Sequence, residues 1–120
     1  MSRRLERVNQ LLRQEISKLL ADGVKDPRLV GVVTIIRVDT SADLQYAKVF
    51  TSVMASEVEK RQVLEGLRSA SGFLRRELAH RLSLRVVPHL DFRLDESIEQ
   101  GAHVLEVMKR LSQEGSPSDV

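Results

Sequence analysis

VVTIIRVDTSADLQYAKVFTSVM, residues 32–54, is the stretch on which the fold turns. Residues 32–38 are almost all β-branched and predict a strand. Residues 45–54, ending in Val49, Phe50, Thr51, Ser52, Val53 and Met54, predict a second. Only the polar link 39–43 separates them, which predicts an antiparallel hairpin. Upstream, Leu5, Val8, Leu12, Ile16 and Leu19 recur at steps of three and four, so residues 3–22 predict a helix with one buried stripe. Ser2 is its expected N-cap and Gly23 its expected stop. Residues 24–31 are a loop turned at Asp26-Pro27.

Downstream, Ser56-Glu57-Val58-Glu59 spells a capping box, and Val63, Leu64 and Leu67 continue the helix it opens. Ser69-Ala70-Ser71-Gly72 is small and glycine-ended, and predicts a break or kink. A further helix runs to about Leu82 on the stripe Leu74, Leu78 and Leu82, with Phe73 off that stripe. Residues 89–94 alternate strictly after Pro88 and predict a strand with one buried face. Ser97 is read as the cap of a last helix through Gln113, using Ile98, Leu105 and Met108. The order helix-strand-strand-helix-kink-helix-strand-helix predicts an α+β domain over residues 1–114, a three-stranded sheet with helices on one face. Residues 115–120 are expected to be a flexible tail.

Composition narrows the chemistry. The 120 residues suit one domain, and hydrophobic content of 42% against 30% charged is globular. Without Cys there is no thiolate metal site, iron–sulfur cluster or Cys nucleophile. No apolar run approaches the ~20 residues that span a bilayer, and the N-terminus has no apolar signal core. We read the chain as cytoplasmic, without membrane contact. His80, His89 and His103 match no metal-ligand spacing. Asp39 with Asp43, and Asp95 with Glu96, could pair as catalytic carboxylates of a small hydrolase, but both sit at element ends, where Asp makes turns and caps. No phosphate loop or nucleophile elbow occurs. A non-enzyme without cofactor is expected.

Charge points to the partner. Residues 1–28 hold seven bases and four acids, and residues 68–85 hold five bases and one acid. Residues 86–120 hold three bases and seven acids. An anionic partner fits that asymmetry, and so does ordinary solvated surface. Arg3, Arg7, Gln10, Gln14 and Lys18 fall opposite the first helix's apolar stripe. The strongest constellation is Arg68-Ser69-Ala70-Ser71-Gly72-Phe73-Leu74-Arg75-Arg76. A helix N-terminus at the kink would offer free N–H groups, small residues would admit a close backbone, and Arg side chains would fork onto phosphates. The alternative is a plain packing kink.

The sequence resembles the ribosome-binding factor A family over residues 3–113. The resemblance rests on Arg7-Val8, Asp26-Pro27-Arg28, the run 33–39 leading to Asp43-Leu44 and Ala47-Lys48-Val49, then 70–75, 84–92 and 95–99. It implies a KH-like fold of type II topology, in which an Ala-x-Gly kink, here Ala70-Ser71-Gly72, replaces the usual Gly-x-x-Gly clamp. It implies binding to the small (30S) ribosomal subunit and its rRNA, late assembly, maturation of the 16S rRNA 5′ end, and adaptation to cold. Candidate partners then include other assembly factors, an assembly GTPase among them, with the chain itself a monomer. The RNA-binding candidates are Arg3, Arg7, Lys18, Arg68, Ser69, Ala70, Ser71, Gly72, Arg75, Arg76, Arg81 and Arg85. The rival reading is a protein-interaction adaptor using the open sheet face or the acidic C-terminal helix.

Overall fold

The computed structural model describes residues 3–22, 24, 26–29 and 32–114. The expected cap Ser2, the stop Gly23 and the tail 115–120 lie outside these residues. The elements are α1 (Arg3–Ala21), β1 (Val32–Thr40), β2 (Tyr46–Met54), α2 (Glu57–Arg81), β3 (His89–Leu94) and α3 (Ser97–Glu114). The sheet order is β1-β2-β3. The hairpin β1–β2 is antiparallel, and β2–β3 is parallel because α2 carries the chain back across the sheet.

α1 and α2 pack on one sheet face, each burying a single stripe. Val8, Leu12, Ile16 and Leu19 of α1 meet Val63, Leu67, Leu74 and Leu78 of α2 over Ile35, Val38, Val49, Val53 and Phe92. This is the KH-like α+β arrangement. A β-bulge at Ile36 sets which side chains face the helices. Ile35 is buried, and strict alternation would turn Arg37 inward as well. The extra residue shifts the phase, so Val38 and Thr40 point in and Arg37 and Asp39 point out. The Thr40 backbone N–H donates to Asn9 Oδ1 (2.9 Å), tying α1 to the end of β1.

Two differences from expectation stand out. Helical hydrogen bonding runs unbroken through Ser69–Gly72, so α2 is one 25-residue helix. Ser71 Oγ donates to the Arg68 carbonyl (2.7 Å), a local bond that lets a hydroxyl ride inside a helix. The free N–H groups expected at a kink are therefore not there. α3 forms where expected, but Leu105 and Met108, expected to face the core, are exposed, as are Val104 and Leu111. Ile98's side chain lies outside the described residues. Ser97 is the first residue of α3 rather than its cap; Asp95 Oδ1 accepts its N–H (2.8 Å).

The loop before β1 is built on a carboxylate. Asp26 accepts from Arg28 three times: Nη2 (2.6 Å), Nε (3.0 Å) and the backbone N–H (2.9 Å). Gly66 lets this turn lie on α2, since a Cβ there would sit 3.1 Å from Leu29 Cδ2 and 3.2 Å from Arg28 Cβ. The Arg28 side-chain bonds, then its backbone N–H, lower the Asp26 carboxyl from 3.8 to about 2. Its folded-state value lies below its unfolded value, so this contribution is complete above pH 4 and is lost as pH falls from 4 towards 2. Acid titration of the unfolding midpoint should show a decline in that window, and Asp26→Asn should flatten it.

Candidate nucleic-acid interface

Each of the two long helices has a face turned away from the sheet. On α2 the stripe opposite the buried one is Arg61, Glu65, Arg68, Ser69, Gly72, Phe73, Arg76 and His80, all exposed. Arg61, Arg68 and Arg76 recur along it, and Glu65 is the acid among them. On α1 the corresponding stripe carries Arg3, Arg7, Gln10, Gln14 and Lys18, all exposed. Arg3, Arg7, Gln10 and Gln14 line a shallow groove with Glu6 and Leu11. Because α1 and α2 share one sheet face, both stripes look outward from the same layer.

The twelve sequence candidates divide in this frame. Arg3, Arg7, Arg68, Ser69, Gly72 and Arg76 lie on the outward layer, with no ion pair among the described residues. Lys18 is outward too but leans on Glu15 (3.4 Å), and Arg81 reaches the same carboxylate from α2 (3.6 Å). Glu15 thus joins the helices and takes part of two cations' charge. Ser71, half-buried, spends its hydroxyl on the Arg68 carbonyl. Arg85 is exposed in the connection after α2. Ala70 is buried and packs on the core. Arg75 is turned inward: Nη2 donates to the Val87 carbonyl (3.0 Å) and Nε is buried without a partner. Its geometry is that of a latch on the α2–β3 connection.

Phe73, which fitted no stripe in the sequence, is on this outward face, 42% exposed. An exposed ring beside Gly72 and Arg76 can stack on a base. Gly72 is the more telling neighbour. A Cβ there would meet nothing within 4 Å, so no packing among the described residues requires glycine. In a helix interior glycine costs roughly 0.5–1 kcal/mol against alanine. Gly72→Ala should therefore raise stability by about that amount in a denaturant melt, while weakening any ligand whose backbone lies against the bare helix.

One member of each carboxylate pair, Asp43 and Asp95, builds a turn or cap. Asp43 Oδ1 accepts from Ser41 Oγ (2.6 Å) and the Gln45 N–H (3.1 Å), and these bonds, Ser41's first, hold its carboxyl below the usual range. Asp95 is lowered likewise by its hydrogen bonds to Ser97. Among the described residues no cluster of three His, Asp or Glu could hold a metal. Among them, too, no helix is long and apolar enough to cross a membrane.

The architecture and the outward basic layer define the class: a small KH-like α+β domain presenting cations from two helices on one side. The family model of ribosome-binding factor A matches residues 4–108, and the chain belongs to that family. A ribosome-binding factor A of Clostridium novyi (strain NT) is 44% identical over 110 residues, covering 92% of this chain and 91% of its own. The crystal structure of ribosome-binding factor A from Thermus thermophilus superposes with a TM-score of 0.67 at 24% identity, over 75% of this chain and 93% of that one. A homology model of the Thermus thermophilus ribosome-binding factor A, fitted into a cryo-EM map of a 30S complex, gives a TM-score of 0.58 at 25% identity, over 81% of this chain and 97% of that one.

Proposed function

We propose that this chain binds the small ribosomal subunit through its rRNA, using the outward layer of α1 and α2, and assists late assembly and maturation of the 16S rRNA 5′ end. The observation that carries the reading is the layer itself: Arg3 and Arg7 on one helix, and Arg68 and Arg76 beside exposed Gly72 on the next, free of carboxylate partners among the described residues. A Thermus thermophilus relative forms a complex with the 30S subunit, into whose cryo-EM map a homology model of that relative was fitted, which supports it. Arginines fork onto phosphate oxygens, and bare helix backbone lets the phosphate chain approach. With few exposed rings, such a surface reads RNA shape more than sequence.

In this reading the chain is a cytoplasmic monomer that acts without catalysis or cofactor. It holds an rRNA conformation and leaves once the subunit is mature, while separate nucleases cut. The test is sedimentation: the protein should travel with free small subunits and be missing from translating ribosomes. Uniform distribution over all ribosomal fractions would refute it. One observation favours the adaptor reading as a second: α3 exposes Val104, Leu105, Met108 and Leu111 along one side. That reading predicts a protein partner retained at high salt and lost on Met108→Glu.

A further inference from the structure

The sheet face away from the helices is a grid of three rows in register. Tyr46 pairs with His89; Asp39, Lys48 and Asp91 align across the middle; Arg37, Phe50 and Arg93 align below. The Tyr46 and His89 rings stack at 5.4 Å, 29° between planes, with Tyr46 61% exposed. Arg37, turned out by the bulge, lies over the Phe50 ring at 4.1 Å. Arg93 forks onto Asp91 (3.0 and 3.1 Å), which neutralises both. Lys48 and Arg37 have no ion pair among the described residues, and Asp39 is the unpaired acid of the grid.

We propose that this open face is a second RNA surface, binding single-stranded RNA by stacking an unpaired base on the Tyr46–His89 pair. The proposal rests on the reading of the chain as an rRNA binder and places a second contact on the opposite side of the domain. Two of the chain's four aromatic rings, Tyr46 and Phe50, are on this face, with His89 and Arg37 as planar partners. Rings and guanidinium planes offer bases a sequence-tolerant platform. The three rows carry no aliphatic side chain of the kind that would seat a protein. Its charge is nearly balanced, so it suits one or two splayed nucleotides, with Lys48 beside their phosphate, rather than a duplex.

Tyr46 is the sole tyrosine, and there is no tryptophan, so intrinsic fluorescence of the whole chain reports this face alone. Titrating the full-length protein with single-stranded uridine and adenosine hexamers should quench tyrosine emission, corrected for RNA absorbance, to saturation. A fluorescent hexamer followed by anisotropy should bind His89→Ala at least 5-fold more weakly and Tyr46→Phe nearly as well as the unmodified chain. Both positions are exposed, and unchanged melting would show that the variants fold. An Arg68→Glu, Arg76→Glu variant should lose subunit binding yet keep the quench. Absence of saturable quenching, equal quenching by a blunt duplex, or unchanged hexamer affinity in His89→Ala would overturn the proposal. If the protein still sediments with small subunits in that case, the helical-layer reading stands and only this one falls.

Discussion

Arg68→Glu combined with Arg76→Glu should weaken binding to free small subunits by about 100-fold or more at constant salt. Each residue offers a charge-assisted hydrogen bond worth about 1.5–3 kcal/mol, and tenfold in affinity is about 1.4 kcal/mol. Reversal adds repulsion to that loss. The dependence of log affinity on log salt should flatten by about one unit for each phosphate contact removed. Neither side chain is buried or ion-paired among the described residues, so thermal stability should barely move. Arg75→Ala is the informative contrast. It removes the bond to the Val87 carbonyl, so its main effect should be a stability loss of about 1–3 kcal/mol, read by denaturant melting.

Phe92→Ala should cost about 3–5 kcal/mol, the largest stability loss we expect from one substitution. Phe92 is fully buried on the helix side of β3, registered against Val49 and packed beneath α2. Truncation leaves a cavity that the helices above can only partly fill. A domain of this kind has about 5–15 kcal/mol in total, so the variant should melt on the order of 12–20 °C lower and be only marginally folded when warm. Below its transition it should still bind small subunits, because Phe92 does not reach the outward layer.

The hairpin, the capping box at Ser56 and the alternation of residues 89–94 were legible because each is local: the signal and the structure it specifies share a few residues. The Ser56–Glu59 box forms as written, Ser56 Oγ accepting from the Glu59 N–H and Glu59 Oε1 from the Ser56 N–H. The outward basic stripe of α1 was legible for the same reason, since helical periodicity alone places Arg3 and Arg7 opposite Val8 and Leu12. The misreadings arise where tertiary contact decides. Small residues at 69–72 suggest a break, yet Ala70 and Leu74, buried in the core, hold the helix on course. Arg75 looked like its neighbour Arg76, but its partner, the Val87 carbonyl, is twelve residues away with nothing local to announce it. Glu15 bridging Lys18 and Arg81 is likewise a long-range matter. The stripe of α3 has a core-facing period, but periodicity shows only that a face is apolar, not that the chain itself covers it.

The bulge at Ile36 shows a signal that a closer reading could use. Val33, Ile35, Val38 and Thr40 break strict alternation by one residue, and that slip places Arg37 over Phe50 on the outer face.

The most direct measurement places a photo-crosslinker at Ser69, between Arg68 and Gly72 on the exposed side of α2, and irradiates the protein on immature small subunits. The account predicts adducts to 16S rRNA clustered at one structural locus, with the yield abolished by the Arg68→Glu, Arg76→Glu pair. Adducts to protein alone, or RNA adducts that persist in the charge-reversed pair, would contradict it.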